Sequence, residues 1–456
     1  MANPFKLEIT LKQHTPIIHF QHDQDGATLR ATEVKSHLNT LVKSLIYDSK
    51  STLPVYKKAI LQENWVCEKD NCGKILKEYL NGIKISVTID KQGSYIKQFW
   101  GNYTPKVNLR EEEKLLKEKK QKDLIAESKK VLRNTLKKEF KEKLHENGIK
   151  WSENDKVSFF ANNAVLNEKV KAGDTPDLLA EGVNSNEYKL GVQVETVKVH
   201  IFSYNTALRD LVFELLPSVF FQYNFGTRQS KGFGCFLPES VDIKNITFNP
   251  KVKSVFKIEK DINSAKVLQE IQEIYLKMKG GQRINGKIGD FRLISQYFYD
   301  EKSPIAWEKP NIKQELENNH KKIWDNLKKD NHSLSFPNDH TTLKDFKYVR
   351  ALLGLAELYE YQAYNSKILI KIEDSIKDNE ASIQRFSSPL TFKYDGKNIY
   401  IIVWEIPDAY IKASFDFLIE GTKITTLGIP NKSDLTAFVE YALNRLFLKQ
   451  FNKVYP

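Results

Sequence analysis

The sequence is poor in cysteine and has no long apolar segment. Only three of its 456 residues are cysteine, which excludes a disulfide framework and any requirement for an oxidising compartment. Cys67 and Cys72 form a C-x4-C pair, but no histidine stands beside them, so a zinc ion would need remote ligands and no metal site is expected. No apolar run approaches about 20 residues, and residues 4–12 alternate like a strand, unlike a signal peptide. We therefore expect a cytoplasmic protein with no membrane partner.

The composition is that of a folded protein with a basic surface. Hydrophobic residues make up 41% and aromatic residues 11% of the chain, enough for a packed core, and 456 residues suffice for two domains. Lysine and arginine number 70 against 58 acidic residues, which gives a formal charge of +12. The excess fits a polyanion binder and equally an ordinary lysine-rich surface, because it is spread thinly along the chain.

Hydrophobic periodicity predicts alternating strands and helices in two domains, residues 1–262 and 263–456. In the first domain the predicted elements are a strand at 4–12, a helix from the N-cap Thr32 through Leu45, strands at 82–88 and 189–203, a helix at 205–223, and a strand-like stretch at 238–262 that closes the domain. In the second domain they are helices at 264–278, 343–361 and 434–448 and strands at 367–373 and 398–406, with the last helix closing the chain.

A charged segment interrupts the first domain. Residues 110–145 are almost uninterrupted charge, with apolar residues recurring every three to four positions. This spacing predicts an amphipathic helix or a hairpin of helices, inserted over about residues 105–148. Its role stays open between the solvated face of a docked helix and an arm that grips RNA.

A glycine-rich basic loop is the most informative motif. Gly226, Gly232 and Gly234 flank Arg228 and Lys231 within nine residues. Because glycine has no Cβ, such a loop can approach a phosphate closely, and we expect its backbone N–H groups to point outward.

The order of elements around this loop distinguishes two families of RNA-binding domains. The helix at 205–223, which Pro217 is expected to kink or end early, runs into loop 226–234, and a strand follows. Lys231–Phe236 resembles the RNP1 motif of RRM domains, and Val199–Phe202 could pass for an RNP2 strand. In an RRM, however, a strand rather than a helix leads into RNP1, so the topology argues against that interpretation.

The sequence resembles the RAMP superfamily of CRISPR-associated proteins, whose glycine-rich loop lies between the last helix and the last strand of a ferredoxin-like domain. Thr15–Ile18 is similar to the family's N-terminal T-P-hydrophobic segment, and Leu29–Lys35 is similar to its entry into the first helix. Arg385–Leu390 is similar to an R-[FW]-x-S-P-[LVI] element of the two-domain RAMP subunits of type III-B (Cmr) effectors. The resemblance implies an α+β protein with two ferredoxin-like (RRM-like, βαββαβ) domains and a charged helical insertion.

The resemblance also implies a function, that of a non-catalytic RNA-binding subunit of a type III CRISPR antiviral effector that needs no cofactor. CRISPR guide RNA and other RAMP subunits are the implied partners, and target RNA is a further candidate. The first-helix and loop cations would hold phosphate, and Phe233 or Phe236 would stack a base. The residues implied to bind RNA are Arg30, Lys35, Gly226, Arg228, Lys231, Gly232, Phe233, Gly234 and Arg385.

An endonuclease is the alternative function. RAMP enzymes that process CRISPR transcripts need no metal, since a histidine or tyrosine takes the 2′-hydroxyl proton and a cation stabilises the phosphorane. His19 or His22 beside Arg30 would serve in this role, and His14 is a third histidine nearby. Residues 280–289 are rich in glycine but lack the G-K-[ST] of a P-loop, so no nucleotide site is expected.

Overall fold

The computed structural model describes most of the chain as two compact units of helices and small antiparallel sheets. The residues outside this description are 1–2, 19–27, 90–94, 102–130, 132–134, 136–137, 139–141, 143–150, 153–164, 171–187, 260–265, 280–282, 285–286, 289–292, 301–303, 330–344, 355–357, 362–365, 373–387, 420, 431–433 and 449.

The helices and strands are numbered here in chain order. The α-helices are α1 (Ala31–Tyr47), α2 (Val55–Glu63), α3 (Thr206–Gln222), α4 (Val267–Lys279), α5 (Leu293–Asp300), α6 (Glu308–Asn319), α7 (Lys321–Lys329), α8 (Asp408–Ile411) and α9 (Leu435–Phe447). The strands are β1 (Lys6–Gln13), β2 (Ile17–Ile18), β3 (Trp65–Lys69), β4 (Ile75–Leu80), β5 (Lys84–Ile89), β6 (Tyr95–Gly101), β7 (Trp151–Ser152), β8 (Val165–Val170), β9 (Tyr188–Gln193), β10 (Thr196–Phe202), β11 (Phe236–Pro238), β12 (Val252–Ile258), β13 (Arg283–Ile284), β14 (Lys287–Ile288), β15 (Ala306–Trp307), β16 (Phe346–Lys347), β17 (Leu358–Tyr361), β18 (Ser366–Ile372), β19 (Leu390–Tyr394), β20 (Ile399–Trp404), β21 (Ser414–Ile419), β22 (Thr422–Gly428) and β23 (Phe451–Tyr455). Two 3-10 turns lie at Ile243–Asn245 and Val349–Leu353.

The first unit is built on one antiparallel sheet and comprises Met1–Pro250, Ile262–Gln272 and Lys393–Lys397. The strand order is β11-β1-β10-β5. Side chains alternate along these strands, so that one face is apolar and buried and the other is polar. Helices α1 and α3 cover the apolar face, and their fully buried residues in this core include Val34, Leu38, Leu41, Leu208, Val212 and Leu215. The strands predicted at 4–12 and 82–88 and the helices predicted from Thr32 to Leu45 and at 205–223 are confirmed to within a few residues.

Helix α3 passes through Pro217 without ending. Of the two effects that the sequence predicts there, an early end or a kink, the early end is wrong, because the helix continues to Gln222. Proline removes one intrahelical hydrogen bond, but burial of the surrounding residues on the core stabilises the helix by more than that loss. Leu215, Leu216, Val219 and Phe220 are all fully buried.

The single strand predicted at 189–203 is two strands in different sheets. Strand β9 belongs to the order β2-β9-β6-β8-β7, whereas β10 lies in the central sheet. The Gln13 side chain binds the backbone where β9 ends and β10 has not yet begun. Its amide nitrogen donates to the Val192 carbonyl at 2.7 Å, and its amide oxygen accepts from the Val194 N–H at 2.9 Å. Strands β3 and β4 form a separate hairpin.

The second unit comprises Lys251–Asp261, Glu273–Phe392 and Asn398–Pro456. Its main sheet has the order β19-β20-β12-β23, and β12 pairs antiparallel with both β20 and β23. The expectation that the stretch 238–262 closes the first domain is therefore wrong for β12, which is an inner strand of this second sheet. The expectation that α9 closes the chain is also wrong, because β23 follows it and completes this sheet.

The helix predicted at 343–361 is absent from the residues described there. The chain instead forms β16, a 3-10 turn at Val349–Leu353, and β17. All five residues of the turn are buried. The apolar residues therefore recur because core residues surround the whole segment, and not because one face of a helix is buried. Gly354 ends the turn with a φ of +105°, a conformation that a continuing helix does not allow.

The predicted insert at 105–148 lies almost entirely outside the described residues. Four residues within it are helical, namely Val131, Thr135, Lys138 and Glu142. Within the part of the chain that the structure describes, no helix combines the length and the apolar character needed to cross a membrane.

Candidate RNA-binding loop

The glycine loop connects α3 to β11, as the sequence predicts. Gly226 is required where the loop crosses β2. Its φ is +78°, and a Cβ placed there would lie 2.5 Å from the Ile18 carbonyl oxygen. Its N–H donates to the Glu33 carboxylate at 3.3 Å, and the neighbouring Thr227 N–H donates to Ile18 at 2.8 Å. This glycine therefore allows two pieces of backbone to meet.

Gly234 closes the other end of the loop. A Cβ there would lie 1.9 Å from the Phe225 carbonyl oxygen, and its N–H donates to the Pro16 carbonyl at 2.9 Å. Gly232, with a φ of +81°, directs its N–H to the Gln229 carbonyl at 3.4 Å. The expectation that the glycine amides point outward to phosphate is wrong, because all three bond within the protein.

The threonine-proline segment explains how the loop is held. The Thr15 hydroxyl donates to the Gly232 carbonyl at 2.6 Å and accepts from the Cys235 N–H at 2.9 Å. The His14 N–H in turn donates to the Cys235 carbonyl at 2.9 Å. Since Thr15 is fully buried, this hydroxyl is a structural clamp on the loop rather than a ligand-binding group.

Arg228 is the cation that the loop presents to solvent. It is exposed and has a φ of +57°, a left-handed conformation that is costly for a residue with a Cβ. Lys231 is half-buried, and its Nζ atom is shielded from solvent. The structure thus separates the two loop cations, with Arg228 outside and the Lys231 ammonium inside.

The N-terminus of α1 lies beside the loop but is already occupied by a carboxylate. Arg30, rather than the predicted Thr32, is the N-cap. Glu33 reaches back to the Arg30 backbone N–H and also accepts from Gly226, in the manner of a capping box. Burial raises the pKa of Glu33, with the Gly226 hydrogen bond and the Arg30 charge opposing that shift. The Glu33 carboxyl group therefore takes the N–H of the N-cap residue and lies where the helix N-terminus was expected to favour phosphate.

Lys35 does not join this group. Its Nζ atom lies 3.4 Å from the Ile83 carbonyl oxygen and 6.0 Å from the centre of the Tyr79 ring. The structure thus places it against the segment that links β4 to β5.

The two phenylalanines proposed to stack a base are core residues. Phe233 and Phe236 are both fully buried, and Phe236 packs edge-to-face on Phe225 at 5.9 Å. Neither ring offers a face to a nucleotide in this conformation, so the stacking assignment for Phe233 is wrong here.

A buried lysine beneath the loop escapes sequence analysis altogether. Lys393, at the end of β19, donates to the Tyr223 carbonyl at 2.5 Å and to the Asn224 side-chain oxygen at 2.7 Å. Asn224 in turn donates to the Gln229 carbonyl at 2.6 Å, so the chain of bonds continues into the loop. Burial lowers the pKa of Lys393 to about 8. No local pattern points to this residue, because its partners lie about 170 positions earlier.

His37 completes the floor of the loop. Its ring stacks on Tyr223 at 4.6 Å and meets Phe225 edge-on at 5.2 Å. Burial, reinforced by the Lys393 charge, lowers the pKa of His37 to about 4, so it is neutral at physiological pH. The floor is therefore a packed layer that supports the loop backbone.

The remaining predicted residues fall into two groups. His19, His22 and Arg385 lie outside the described residues. Cys67 and Cys72 are exposed free thiols on the β3–β4 hairpin, and the described part of the chain holds no cluster of three or more metal-ligating side chains.

Two family models match this chain. The model of the Cmr1 N-terminal domain matches residues 4–145 and 113–282, and that of the Cmr1 C-terminal domain matches residues 293–455. Together they span nearly the whole sequence. No curated protein matches it.

Solved structures give weaker likenesses. The crystal structure of Cmr1 from Pyrococcus furiosus in its apo form is 11% identical, with 99% of each chain covered and a TM-score of 0.34. A chain of the cryo-EM structure of the Type III-B Cmr-beta bound to cognate target RNA is 14% identical, with 95% of this chain and 98% of that chain covered and a TM-score of 0.27. Because these scores are low, the assignment rests on the family models. The chain belongs to the Cmr1 family, which confirms its resemblance to the RAMP subunits of type III-B (Cmr) effectors.

Proposed function

We propose that this protein is a non-catalytic, RNA-binding subunit of a cytoplasmic type III-B CRISPR effector, where it holds guide RNA and neighbouring subunits. Membership of the Cmr1 family supports the proposal that this chain is a subunit of a type III-B (Cmr) effector. The solved Cmr-beta complex is bound to cognate target RNA, and we propose target RNA as a second candidate ligand of this chain in such an assembly.

The strand orders support the finer fold assignment, two ferredoxin-like domains. In the first unit, β1, α1, β5, β10, α3 and β11 follow one another as βαββαβ, and the sheet order is fourth-first-third-second. In the second sheet and its helices, β12, α4, β19, β20, α9 and β23 follow the same order, although α4 up to Gln272 and the last two residues of β19 belong to the first unit. The other strands and helices of each unit are then insertions between these core elements.

The observation that carries the RNA-binding proposal is that Arg228 is exposed on a loop whose backbone is held by hydrogen bonds to the rest of the first unit. The loop is bonded to Thr15, Ile18 and Glu33, and the Lys393 network supports its floor. A guanidinium held on such a base can donate two parallel hydrogen bonds to one phosphate with little loss of backbone entropy. Recognition of this kind depends on the phosphate backbone of the RNA and not on its base sequence, as a guide-binding subunit requires.

The test is a salt titration of RNA binding, with purified protein and labelled CRISPR repeat–spacer RNA in EDTA. Arg228→Ala should weaken binding about tenfold and reduce the slope of log affinity against log salt by about 0.7, the value for one lost phosphate contact on a single strand. Arg445→Ala removes an exposed arginine from α9 and is the charge-matched control. Equal slopes for the two variants would reject Arg228 as the phosphate contact.

The absence of catalysis is tested by running the same mixtures of protein and labelled RNA on a gel. Intact RNA after prolonged incubation with excess protein is the expected result. A discrete product with a 2′,3′-cyclic phosphate end would instead establish the endonuclease alternative, and would direct attention to His19 and His22.

A further inference from the structure

The polar face formed by β1, β10 and β5 in the first unit exposes lysine side chains to solvent, while His200 near its centre is buried. The antiparallel register sets Glu8 opposite His200 and His200 opposite Ser86, all on the face that α1 and α3 leave uncovered. By the same alternation, the outward residues of the three strands are Lys6, Glu8, Thr10, Lys12, Lys84, Ser86, Thr88, Thr196, Lys198, His200 and Phe202. This set is called the sheet platform below.

The sheet platform is positively charged. It carries four exposed lysines, Lys6, Lys12, Lys84 and Lys198, against a single carboxylate. That carboxylate, on Glu8, is paired with the Lys198 ammonium at 3.0 Å and lies 3.1 Å from the His200 ring nitrogen. Lys198 lowers the pKa of Glu8, so the pair stays ionised and three lysines remain as net positive charge. A single strand of phosphates complements this charge, whereas the polar residues between the lysines give no continuous apolar surface for a protein partner.

An aromatic cluster stands at one end of the platform. Phe202 contacts Phe5 at 6.4 Å and Tyr204 at 5.0 Å between ring centres, and Phe5 contacts Tyr204 at 5.5 Å. Tyr204 is 78% exposed although two aromatic rings hold it in place. An exposed, positioned ring beside lysines is the combination that single-stranded nucleic acid uses, with the base on the ring and the phosphates on the cations.

We propose that the sheet platform is a second RNA contact, where a single strand stacks a base on Tyr204 and runs along the lysines of β1, β5 and β10. From Lys6 to Lys12 the platform is about 20 Å long, room for several nucleotides in extended form. The proposal rests on the proposed RNA-binding function and adds a stacking site to it, since the glycine loop supplies charge but no exposed ring.

The test uses fluorescence anisotropy of labelled oligouridine of 15 nucleotides with the full chain. Tyr204→Ala should weaken binding about fivefold or more, while Tyr204→Phe, which keeps the ring, should bind like the wild type. Tyr56→Ala removes an equally accessible tyrosine (66% exposed) from α2 and should leave affinity unchanged. Because both tyrosines are surface residues, thermal midpoints should match that of the wild type and exclude misfolding as the cause.

The charge of the platform is tested separately. The triple variant K6A/K12A/K84A should reduce the salt slope by about 2, at roughly 0.7 for each lost phosphate contact. The variant K69A/K74A/K77A removes the same charge from the exposed β3–β4 hairpin and should leave the slope unchanged.

The outcomes separate this inference from the proposed function. If the wild type binds oligouridine and Arg228→Ala weakens it while the platform variants do not, the platform is rejected and the loop assignment stands. If Tyr204→Ala leaves RNA affinity intact but abolishes co-purification with another effector subunit, the surface is a protein interface and the inference is wrong. A wild type that binds no RNA would overturn both.

Discussion

The buried Lys393 gives the sharpest test of the loop architecture. Replacing it with methionine keeps most of the side-chain volume but removes the donor to the Tyr223 carbonyl and the Asn224 side chain. Leaving two buried acceptors unsatisfied costs about 1–3 kcal/mol each, while relief of the buried charge opposes that cost at neutral pH. The net effect near pH 7 is therefore small, and pH dependence is the decisive observable.

The sign of that dependence follows from the lowered pKa. Lys393 has a pKa of about 8 in the folded protein against 10.5 in an unperturbed lysine, so the unfolded chain binds more protons between these values. Stability of the wild type must then rise with pH through this window, and it is lost again as pH falls through 8. For this shift, linkage predicts a gain of about 2 kcal/mol between pH 7 and pH 9.5 relative to the methionine variant. The neutral amine still has donors for both acceptors.

Urea unfolding at a series of pH values measures this gain as a difference between wild type and Lys393→Met. The difference removes the contributions of all other titrating groups, which the two proteins share. Lys397→Met changes an exposed lysine four residues away and should show no such pH dependence. A wild-type-minus-variant difference that stays constant from pH 7 to pH 9.5 would refute the buried, desolvated ammonium.

Three further substitutions test the loop itself by thermal unfolding. Gly234→Ala should destabilise by about 2–4 kcal/mol because its Cβ would overlap backbone, whereas Gly73→Ala, with positive φ but no atom within 4 Å, should cost only about 1 kcal/mol; equal costs would contradict the close approach. Thr15→Val should cost about 1–3 kcal/mol through two lost hydrogen bonds, and it should weaken RNA binding through loosening of the loop, while an unchanged midpoint would count against the clamp. Phe233→Ala should destabilise by about 3–5 kcal/mol; a stable variant with altered base preference would restore the stacking role.

Local periodicity was sufficient to predict the elements that pack on one face. The alternation in β1 and the helical spacing in α1 each reflect a single buried side, and the structure has these elements within a few residues of the predicted bounds. A segment that is buried on all sides has no alternation of apolar and polar residues to show whether it is a helix or a strand. The turn at Val349–Leu353 therefore has the apolar spacing of a helix although it is a 3-10 turn. The unit that β12 joins depends on its pairing with β20 and β23, which local periodicity does not contain.

The candidate site shows a second limit of sequence reasoning. The motif correctly marks where the loop lies, but the role of each residue depends on groups that come from elsewhere in the chain. Glu33 bonds to the N-cap N–H and to Gly226 beside the helix N-terminus where an anion was expected, and the burial of Phe233 is set by packing that no short motif contains. Lys393 comes from a strand whose sequence has no feature in common with the loop.

The glycines of the signature motif are therefore needed for the backbone packing of the loop, and not for contact with a ligand. Gly226 and Gly234 are needed because backbone oxygens lie within 2.5 Å of where a Cβ would stand, and Thr15 is needed because it bonds two loop positions at once. All of these interactions leave the Arg228 side chain exposed while they fix the backbone that carries it. It follows that the glycines identify the fold, and that affinity for RNA should vary with the exposed residues beside them and on the sheet platform. Substitution of the glycines would lower RNA binding only together with stability, whereas substitution of Arg228 or Tyr204 would lower binding alone.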